Sequence, residues 1–161
     1  VSFVVVFVIF HFVIQMVNVE GVSMQPTLQQ NDRLVISKLF YHPASGDIVV
    51  LSDKTGLKKP LIKRIIAVEG QQLDIGEDGV VSVDGVPLEE SYIQETIQKT
   101  MRGDHVYPVT IPQDHVFVMG DNRNNSTDSR FEELFFVNEK EILGRVLLRI
   151  YPLNKFGTIN E

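Results

Sequence analysis

The stretch Pro60–Glu69, with the sequence PLIKRIIAVE, decides the fold that this chain predicts. It carries apolar residues at neighbouring positions on both sides of the pair Lys63-Arg64. A short apolar run of this kind is typical of a β-strand that is covered on both faces. The stretch therefore predicts a long buried strand, and it places a lysine where folding can remove the side-chain amine from water.

Short strand patterns separated by turn residues continue on both sides of this stretch. Strands at regular spacing with few helical patterns between them predict an all-β domain. Asp84-Gly85, directly before Val86, indicates a hairpin. The other predicted strands cover residues 33–37, 47–51, 71–75, 80–83, 106–111, 115–119 and 144–151.

Three further segments complete the predicted organisation. A polar, glycine-rich segment begins at residue 71 and predicts a small inserted lobe, to which we assign residues 71–114. Within it, residues 89–98 fit either a short helix or a loop. Asn138-Glu139-Lys140-Glu141 has an N-cap asparagine with a glutamate three positions later, so it predicts a short helix that ends near Leu143.

Composition and charge limit the classes of function. The 161 residues include 43% hydrophobic and 22% charged residues, as in a globular protein. The formal net charge of −6 argues against nucleic acid as a partner. The absence of cysteine excludes disulfides and thiolate metal sites, and no phosphate-loop, HExxH or EF-hand pattern occurs. We therefore expect neither a metal nor a cofactor.

The start of the chain is apolar. No charged side chain occurs from Val1 to Val17, although His11 interrupts the run. A bilayer core needs about 20 apolar residues. Since the chain starts with valine, we expect upstream residues to complete a membrane span. We assign residues 1–18 to the C-terminal part of a transmembrane helix and residues 19–161 to the domain that follows. A cleaved signal peptide and a buried element of a soluble domain are the alternatives.

A serine follows this apolar segment almost directly, in the stretch Gly21-Val22-Ser23-Met24-Gln25-Pro26-Thr27-Leu28. Serine needs a base to act as a nucleophile at neutral pH, and none of the four histidines has a neighbouring pattern typical of a triad. A buried lysine is a possible base, because desolvation favours its neutral amine and lowers its pKa by up to roughly 3–5 units. Lys63 has the most apolar flanks, so Ser23 and Lys63 form the candidate pair. The alternatives are a turn or helix-cap serine and a strand lysine whose amine reaches water.

A long polar loop follows the last strand before Phe131. The stretch from Met119 to Arg130 consists almost entirely of glycine and polar residues, whereas a plain turn needs about four residues. We expect such a loop to be held by its own hydrogen bonds and ion pairs. A solvated surface loop and a weakly supported metal site are the alternatives. The candidate ion-pair residues are Asp121, Arg123, Asp128 and Arg130, and the metal site would use the two aspartates.

Together these segments resemble the type I signal peptidase family over nearly the whole chain. The stretch Ser23-Met24-Gln25-Pro26-Thr27 resembles the family's nucleophile box, and Lys63-Arg64 within an apolar strand resembles its lysine box. Its last box is matched by Gly120-Asp121-Asn122-Arg123 through Ser126-Thr127-Asp128-Ser129-Arg130. Three motifs in the right order behind an apolar segment make the resemblance specific.

The resemblance implies an antiparallel β-sheet catalytic domain with a smaller inserted β lobe. An N-terminal transmembrane helix would hold this domain on the extracytoplasmic side of the cell membrane. Ser23 would be the nucleophile, Lys63 the general base, and Ser126 would orient the lysine amine. The Ser23 backbone N–H would donate into the oxyanion hole. The supporting residues would be the ion pair Asp128 and Arg130, together with Asp121 and Arg64.

Several positions depart from the family's pattern, among them Gly21 and Asn124. Gly21 stands where some members have a serine that donates to the oxyanion, so the second oxyanion donor stays unidentified. Asn124 stands where many members have an acidic residue. Neither of these two departures affects the two candidate catalytic side chains, and both can be compared with the structure.

The resemblance implies a membrane-bound serine endopeptidase that cleaves N-terminal signal peptides from exported preproteins. Its partners would be those signal peptides and the lipid bilayer, with no cofactor. A self-cleaving repressor-type Ser–Lys protease is one alternative, but this chain has an apolar segment and no Ala-Gly cleavage site. A non-enzymatic, membrane-tethered β-domain that binds peptides is the alternative from another class.

Overall fold

Eleven β-strands form the framework of the part of the chain that the computed structural model describes, residues 14–159. The strands are β1 (Ile14–Asn18), β2 (Arg33–Ser37), β3 (Ile48–Leu51), β4 (Leu61–Val68), β5 (Gln72–Ile75), β6 (Val81–Val83), β7 (Val86–Pro87), β8 (Val109–Thr110), β9 (His115–Met119), β10 (Val137–Asn138) and β11 (Ile142–Tyr151). Short 3₁₀ helices cover Lys99–Met101, Arg123–Asn125, Glu139–Glu141 and Leu153–Lys155.

The strands form two sheets. The first has seven strands in the order β1-β2-β11-β3-β4-β9-β10, and the second has four in the order β7-β6-β5-β8. The strand pairs in both sheets are antiparallel. These pairings confirm the predicted mainly β, antiparallel fold.

The strand predicted from Pro60–Glu69 is confirmed as β4. It lies between β3 and β9 in the first sheet, and only its residues Ile62 and Val68 are partly exposed. Neighbouring strands on both sides satisfy its backbone groups, while apolar side chains cover its faces. The strand therefore carries Lys63 into the interior of the molecule.

The second sheet is formed by strands from the segment 71–114. Its side chains do not make a core of their own, because Leu73 and Ile75 pack with Ile66 and Phe117 of the first sheet in one cluster. The inserted segment is thus joined to the first sheet through shared apolar contacts. This packing brings its loops close to the polar loop that follows β9.

The predicted hairpin at Asp84-Gly85 is confirmed. Val83 pairs with Val86, so the connection has two residues, with φ values of 52° and 78°. Positive φ at both central residues belongs to the tight turn that matches the twist of the flanking strands. Aspartate and glycine tolerate this conformation better than most residues, which is why the sequence signal was informative.

The predicted transmembrane helix needs a correction at its C-terminal end. Ile14–Asn18 form strand β1, which pairs with β2 from Ile14 opposite Ser37 to Asn18 opposite Arg33. A short uncharged stretch fits a strand as well as a helix, and here pairing with β2 satisfies its backbone groups. The remainder of the predicted anchor, residues 1–13, lies outside the described residues. Between residues 14 and 159, no helix is long and apolar enough to cross a bilayer.

Two local predictions differ from the structure, and one that was left open is decided. Residues 89–98, for which a short helix and a loop were both considered, form a loop. The capping pattern at Asn138 gives only the 3₁₀ turn Glu139–Glu141, in which the Asn138 side chain accepts the Lys140 N–H. Strand β11 begins directly afterwards, and its pairing with β2 and β3 ends the helical turn early. The strand predicted at 106–111 is shorter because only Val109–Thr110 pair with β5.

Candidate active site

The segment that carries Ser23, residues 21–28, is a compact turn between β1 and β2, here called the serine turn. The Gln25 N–H donates to the Val22 carbonyl at 3.1 Å, and the Leu28 N–H donates to the Met24 carbonyl at 2.9 Å. The Met24 and Leu28 side chains are buried in an apolar cluster on one face of the first sheet. These two anchors hold the turn against the domain and leave Ser23 only partly buried.

Lys63 approaches this turn from β4. Its Nζ atom donates a 2.8 Å hydrogen bond to Ser23 Oγ, and only 2% of the residue is exposed. Burial lowers the pKa of Lys63 from its usual 10.5 to about 8; the nearby Asp128 charge opposes this shift and the Arg130 charge supports it. The amine is therefore close enough to accept a proton from the hydroxyl, and its neutral form is accessible near neutral pH.

Ser126 lies in the same cleft as Ser23 and Lys63, but its hydroxyl has another partner. The Ser126 Oγ atom donates to Asp128 Oδ2 at 2.8 Å, whereas no hydrogen bond joins Ser126 to Lys63. The resemblance implied a contact between this serine and the lysine amine. The structure instead links Ser126 to the amine through Asp128, whose charge acts on the Lys63 pKa.

Asp128 is fully buried, and its carboxylate accepts hydrogen bonds from several neighbouring groups. Arg130 donates to both carboxylate oxygens, with Nε at 2.8 Å from Oδ1 and Nη2 at 2.9 Å from Oδ2. The Gly120 N–H adds a bond to Oδ2 at 3.0 Å. Burial on its own raises the pKa of Asp128, but the Arg130 charge and these donors outweigh burial and lower the pKa. The carboxylate therefore stays charged beneath the site.

Arg64 and Asp121 form a second buried ion pair next to the candidate site. Arg64 Nε and Nη2 bind the two Asp121 oxygens at 2.8 and 2.9 Å, and both side chains are at most 2% exposed. Thr27 Oγ1 also donates to Asp121 Oδ2 at 2.5 Å. Because Thr27 belongs to the serine turn and Arg64 follows Lys63 in β4, the pair connects the two candidate catalytic residues. Both loop aspartates are thus bound by arginine, which leaves the metal alternative without free ligands.

Three residues near the site were given no role by the sequence interpretation. Glu90 binds Arg123 with both carboxylate oxygens, at 2.5 and 3.0 Å. The Tyr92 ring lies 3.9 Å from the guanidinium carbon of Arg64. The Asn122 N–H donates to the Ser23 carbonyl at 2.9 Å. Glu90 and Tyr92 stand far from their partners in the chain, so no local pattern in the sequence identifies them.

The backbone N–H of Ser23 is the predicted donor to an oxyanion, and its surroundings can be compared with that prediction. Among the described residues, no protein group accepts a hydrogen bond from the Ser23 N–H. Gly21 has φ of +82°, a conformation that favours glycine, and its N–H donates to Gln30 Oε1 at 2.7 Å. The Ser23 N–H therefore remains available to a bound oxyanion, while the Gly21 N–H is occupied.

A cleft of about 560 Å³ opens over the candidate pair. The serine turn forms one wall. The residues that lead into β4, from Leu57 to Leu61, form another wall, and the polar loop closes one end. A cleft of this size accommodates a short peptide segment. Its lining includes Val19, Val22, Ser23, Leu57, Leu61, Lys63, Asn124 and Ser126.

Comparison with known proteins places this chain in a defined class, a family of serine endopeptidases. The family model described as signal peptidase, peptidase S26, matches residues 1–151. The chain belongs to this signal peptidase family, which confirms the resemblance read from the three motifs.

Individual relatives agree with this membership. The chain is 40% identical over 149 residues to the probable signal peptidase I-1 of Synechocystis sp., with 86% of this chain and 72% of the relative covered. It is 38% identical over 148 residues to signal peptidase I of Leptolyngbya laminosa, with 85% and 68% covered. Signal peptidase I P of Bacillus subtilis subsp. natto is 33% identical over 163 residues, with 96% and 86% covered.

A solved structure supports the fold. The crystal structure of a signal peptidase I from Enterococcus faecalis superposes with a TM-score of 0.53 at 24% identity. The superposition covers 65% of this chain and 97% of the Enterococcus chain. The two proteins therefore share the β-sheet architecture described above.

Proposed function

We propose that this protein cleaves N-terminal signal peptides from exported preproteins through a dyad of Ser23 and Lys63. The observation that carries the proposal is the 2.8 Å hydrogen bond from the buried Lys63 amine to Ser23 Oγ. Burial lowers the pKa of that amine to about 8, so a useful fraction is neutral at neutral pH. Membership of the signal peptidase family supports the choice of substrate.

Acylation begins when the neutral Lys63 amine takes the proton of the Ser23 hydroxyl. The Ser23 oxygen attacks the scissile carbonyl carbon, and negative charge develops on the carbonyl oxygen. The free Ser23 N–H donates to that oxygen. The Lys63 ammonium then gives its proton to the leaving amine, and an acyl-enzyme remains.

Deacylation reuses the same base. Lys63, neutral again, takes a proton from a water molecule, and the resulting hydroxide attacks the ester carbonyl. The Ser23 oxygen leaves and recovers its proton from Lys63. One amine thus acts as base and acid in both halves of the reaction.

The supporting residues keep this pair in place. Thr27, Asp121 and Arg64 connect the serine turn to the strand that carries Lys63. Asp128, held by Arg130, places a fixed negative charge close to the amine and limits the fall in its pKa. Ser126 fixes Asp128 through its hydroxyl, and this contact is its role in the resting site.

The substrate would lie extended in the cleft, adding its backbone beside the serine turn. Shallow pockets next to Ser23 would accept small side chains at the first and third positions before the cut. The uncharged segment 1–13 would belong to a membrane anchor, with the domain on the extracytoplasmic side. Such an anchor confines the enzyme and the signal peptide to the same thin layer, which favours their encounter.

A cleavage assay tests this proposal. The purified protein in detergent is incubated with a preprotein, and the N-terminus of any shortened product is sequenced. Wild-type protein should release the mature chain, whereas Ser23→Ala and Lys63→Ala should not. Undiminished cleavage by both variants would exclude the dyad, and a wild-type protein that binds the signal peptide without cutting it would favour a binding module.

A further inference from the structure

The loop of residues 90–98, here called the lobe loop, is attached to the polar loop after β9 at two places. At its start, Glu90 binds Arg123 with both carboxylate oxygens, at 2.5 and 3.0 Å. The Arg123 side chain is 0% exposed and the Glu90 side chain 8% exposed. A buried guanidinium needs a counter-charge, since an unpaired one has a high desolvation cost. Glu90 provides that charge from the inserted segment.

The second attachment lies at the end of the lobe loop. Asn124, the neighbour of Arg123, accepts the Gln98 N–H at 2.8 Å and donates to the Thr96 carbonyl at 3.0 Å. Ile97, between these two partners, is buried in the core shared by both sheets. A carboxylate at position 124 has no donor for the Thr96 carbonyl, which gives a physical reason for an asparagine at this position.

The polar loop in turn holds the backbone of the nucleophile. Asn122, the residue before Arg123, donates its N–H to the Ser23 carbonyl at 2.9 Å and its side-chain amide to the Val22 carbonyl at 3.1 Å. Three successive residues therefore link Ser23 on one side to the lobe loop on the other. Any displacement of Arg123 moves the donor that fixes the Ser23 backbone.

We infer that Glu90 is a positioning residue for Ser23, and that Asn124 is a second one. Glu90 neutralises the buried Arg123, Asn124 fastens the other end of the lobe loop, and both hold Asn122 against the Ser23 carbonyl. The Tyr92 hydroxyl donates to Glu90 at 3.0 Å while its ring packs on Arg64, so the same loop also supports the neighbour of Lys63. The inserted lobe thus contributes directly to the geometry of the site.

The inference rests on the proposed function for its kinetic consequence, and its structural consequence can be measured separately. The full-length protein in detergent is prepared as wild type, Glu90→Gln and Glu95→Gln. Glu95 lies in the same loop, is exposed and makes no described ion pair, so it provides a matched control. Amide exchange at Asn122 reports the bond to the Ser23 carbonyl, and preprotein cleavage gives kcat and KM.

For Glu90→Gln we expect faster exchange at Asn122 and a kcat about 10- to 100-fold lower with KM nearly unchanged, because small misplacements of a reacting group have effects of this size. Glu95→Gln should match wild type in both measurements. Wild-type exchange and kcat in a folded Glu90→Gln protein would overturn the inference. A wild-type protein that cleaves no signal peptide would overturn the proposed function instead, while the exchange rates would still decide the role of Glu90.

Asn124→Ala covers the case in which Glu90→Gln does not fold, because it removes the second attachment without leaving a buried charge unpaired. Faster exchange at Asn122 with a several-fold lower kcat would support the inference. Since Asn124 also lines the cleft, an increase in KM with unchanged kcat and unchanged exchange would show a substrate contact alone and would overturn its positioning role.

Discussion

Ser126 donates its hydroxyl hydrogen bond to Asp128, 2.8 Å away, and not to the amine of Lys63 in the same cleft. The Asp128 charge has one of the largest effects on the Lys63 pKa, whereas Ser126 carries no charge. The serine therefore affects the candidate base through a carboxylate. This arrangement separates the effect of Ser126 on stability from its effect on the basicity of the lysine.

Replacing Ser126 should thus affect stability more than the pH dependence of the rate. Ser126→Ala removes a buried hydrogen bond to a charged group, and we expect the free energy of unfolding to fall by about 1.5–3 kcal/mol. Urea unfolding measures this loss, and the pH–rate profile should keep its midpoint. A displaced midpoint would show that Ser126 acts on the Lys63 pKa, directly or through Asp128, and would contradict this separation.

The cleavage rate should rise with pH through the pKa of Lys63. Only the neutral amine takes the serine proton, so kcat/KM should increase about tenfold per pH unit well below pH 8 and level off above it. The measurement is initial cleavage rates between mildly acidic and alkaline pH. A flat profile across this range would contradict the role of Lys63 as the base.

Lys59 offers a finer test of the same midpoint. Its positive charge lowers the pKa of Lys63, so Lys59→Gln should move the midpoint of the pH–rate profile upward. Lys54→Gln is the control, since Lys54 is exposed and is not among the charges with the largest effects on the Lys63 pKa. An equal shift in both variants would assign the effect to net charge rather than to proximity.

The buried lysine should weaken the fold at neutral pH. Its pKa is about 8 in the folded protein and 10.5 in the unfolded chain, so between these values the unfolded state binds more protons and stability rises with pH. Below pH 8 the full cost is present, about 3 kcal/mol at 1.36 kcal/mol per pKa unit. Lys63→Met should therefore be inactive and more stable than wild type at pH 7, with a smaller advantage at pH 10. Urea unfolding at both pH values decides this, and a less stable variant at pH 7 would refute it.

Gly120 should tolerate no side chain. A Cβ atom there would lie 2.4 Å from both Ser126 Oγ and the Ser23 carbonyl oxygen. Gly120→Ala should therefore displace the polar loop from the serine turn, lowering kcat by about 100-fold and stability by about 1–3 kcal/mol. Gly76→Ala is the matched control, because its Cβ would first meet the movable Asp78 carboxylate. Cleavage rates and thermal unfolding compare the two, and equal losses would contradict the steric argument.

The predictions from sequence succeeded where the signal was local. The apolar run around Lys63 predicted β4, and Asp84-Gly85 predicted a hairpin, because strand burial and turn geometry leave marks on neighbouring residues. The prediction of a helix over residues 14–18 was wrong, since a short uncharged stretch fits either element and pairing with β2 decided it. The 89–98 loop was left open for a related reason, because its conformation depends on Arg123 and Asn124, which lie in another part of the chain.

By itself the sequence determined the β-rich architecture, the family, and the residue types that carry acid–base chemistry, because these depend on composition and on short motifs. Only the tertiary structure decided that the Lys63 amine reaches Ser23, that Ser126 turns to Asp128, and that Glu90 neutralises Arg123. The physical reason is that a pKa, an ion pair and a hydrogen bond depend on distance and burial in space. Those quantities arise when strands distant in the chain are brought together by packing of the shared core.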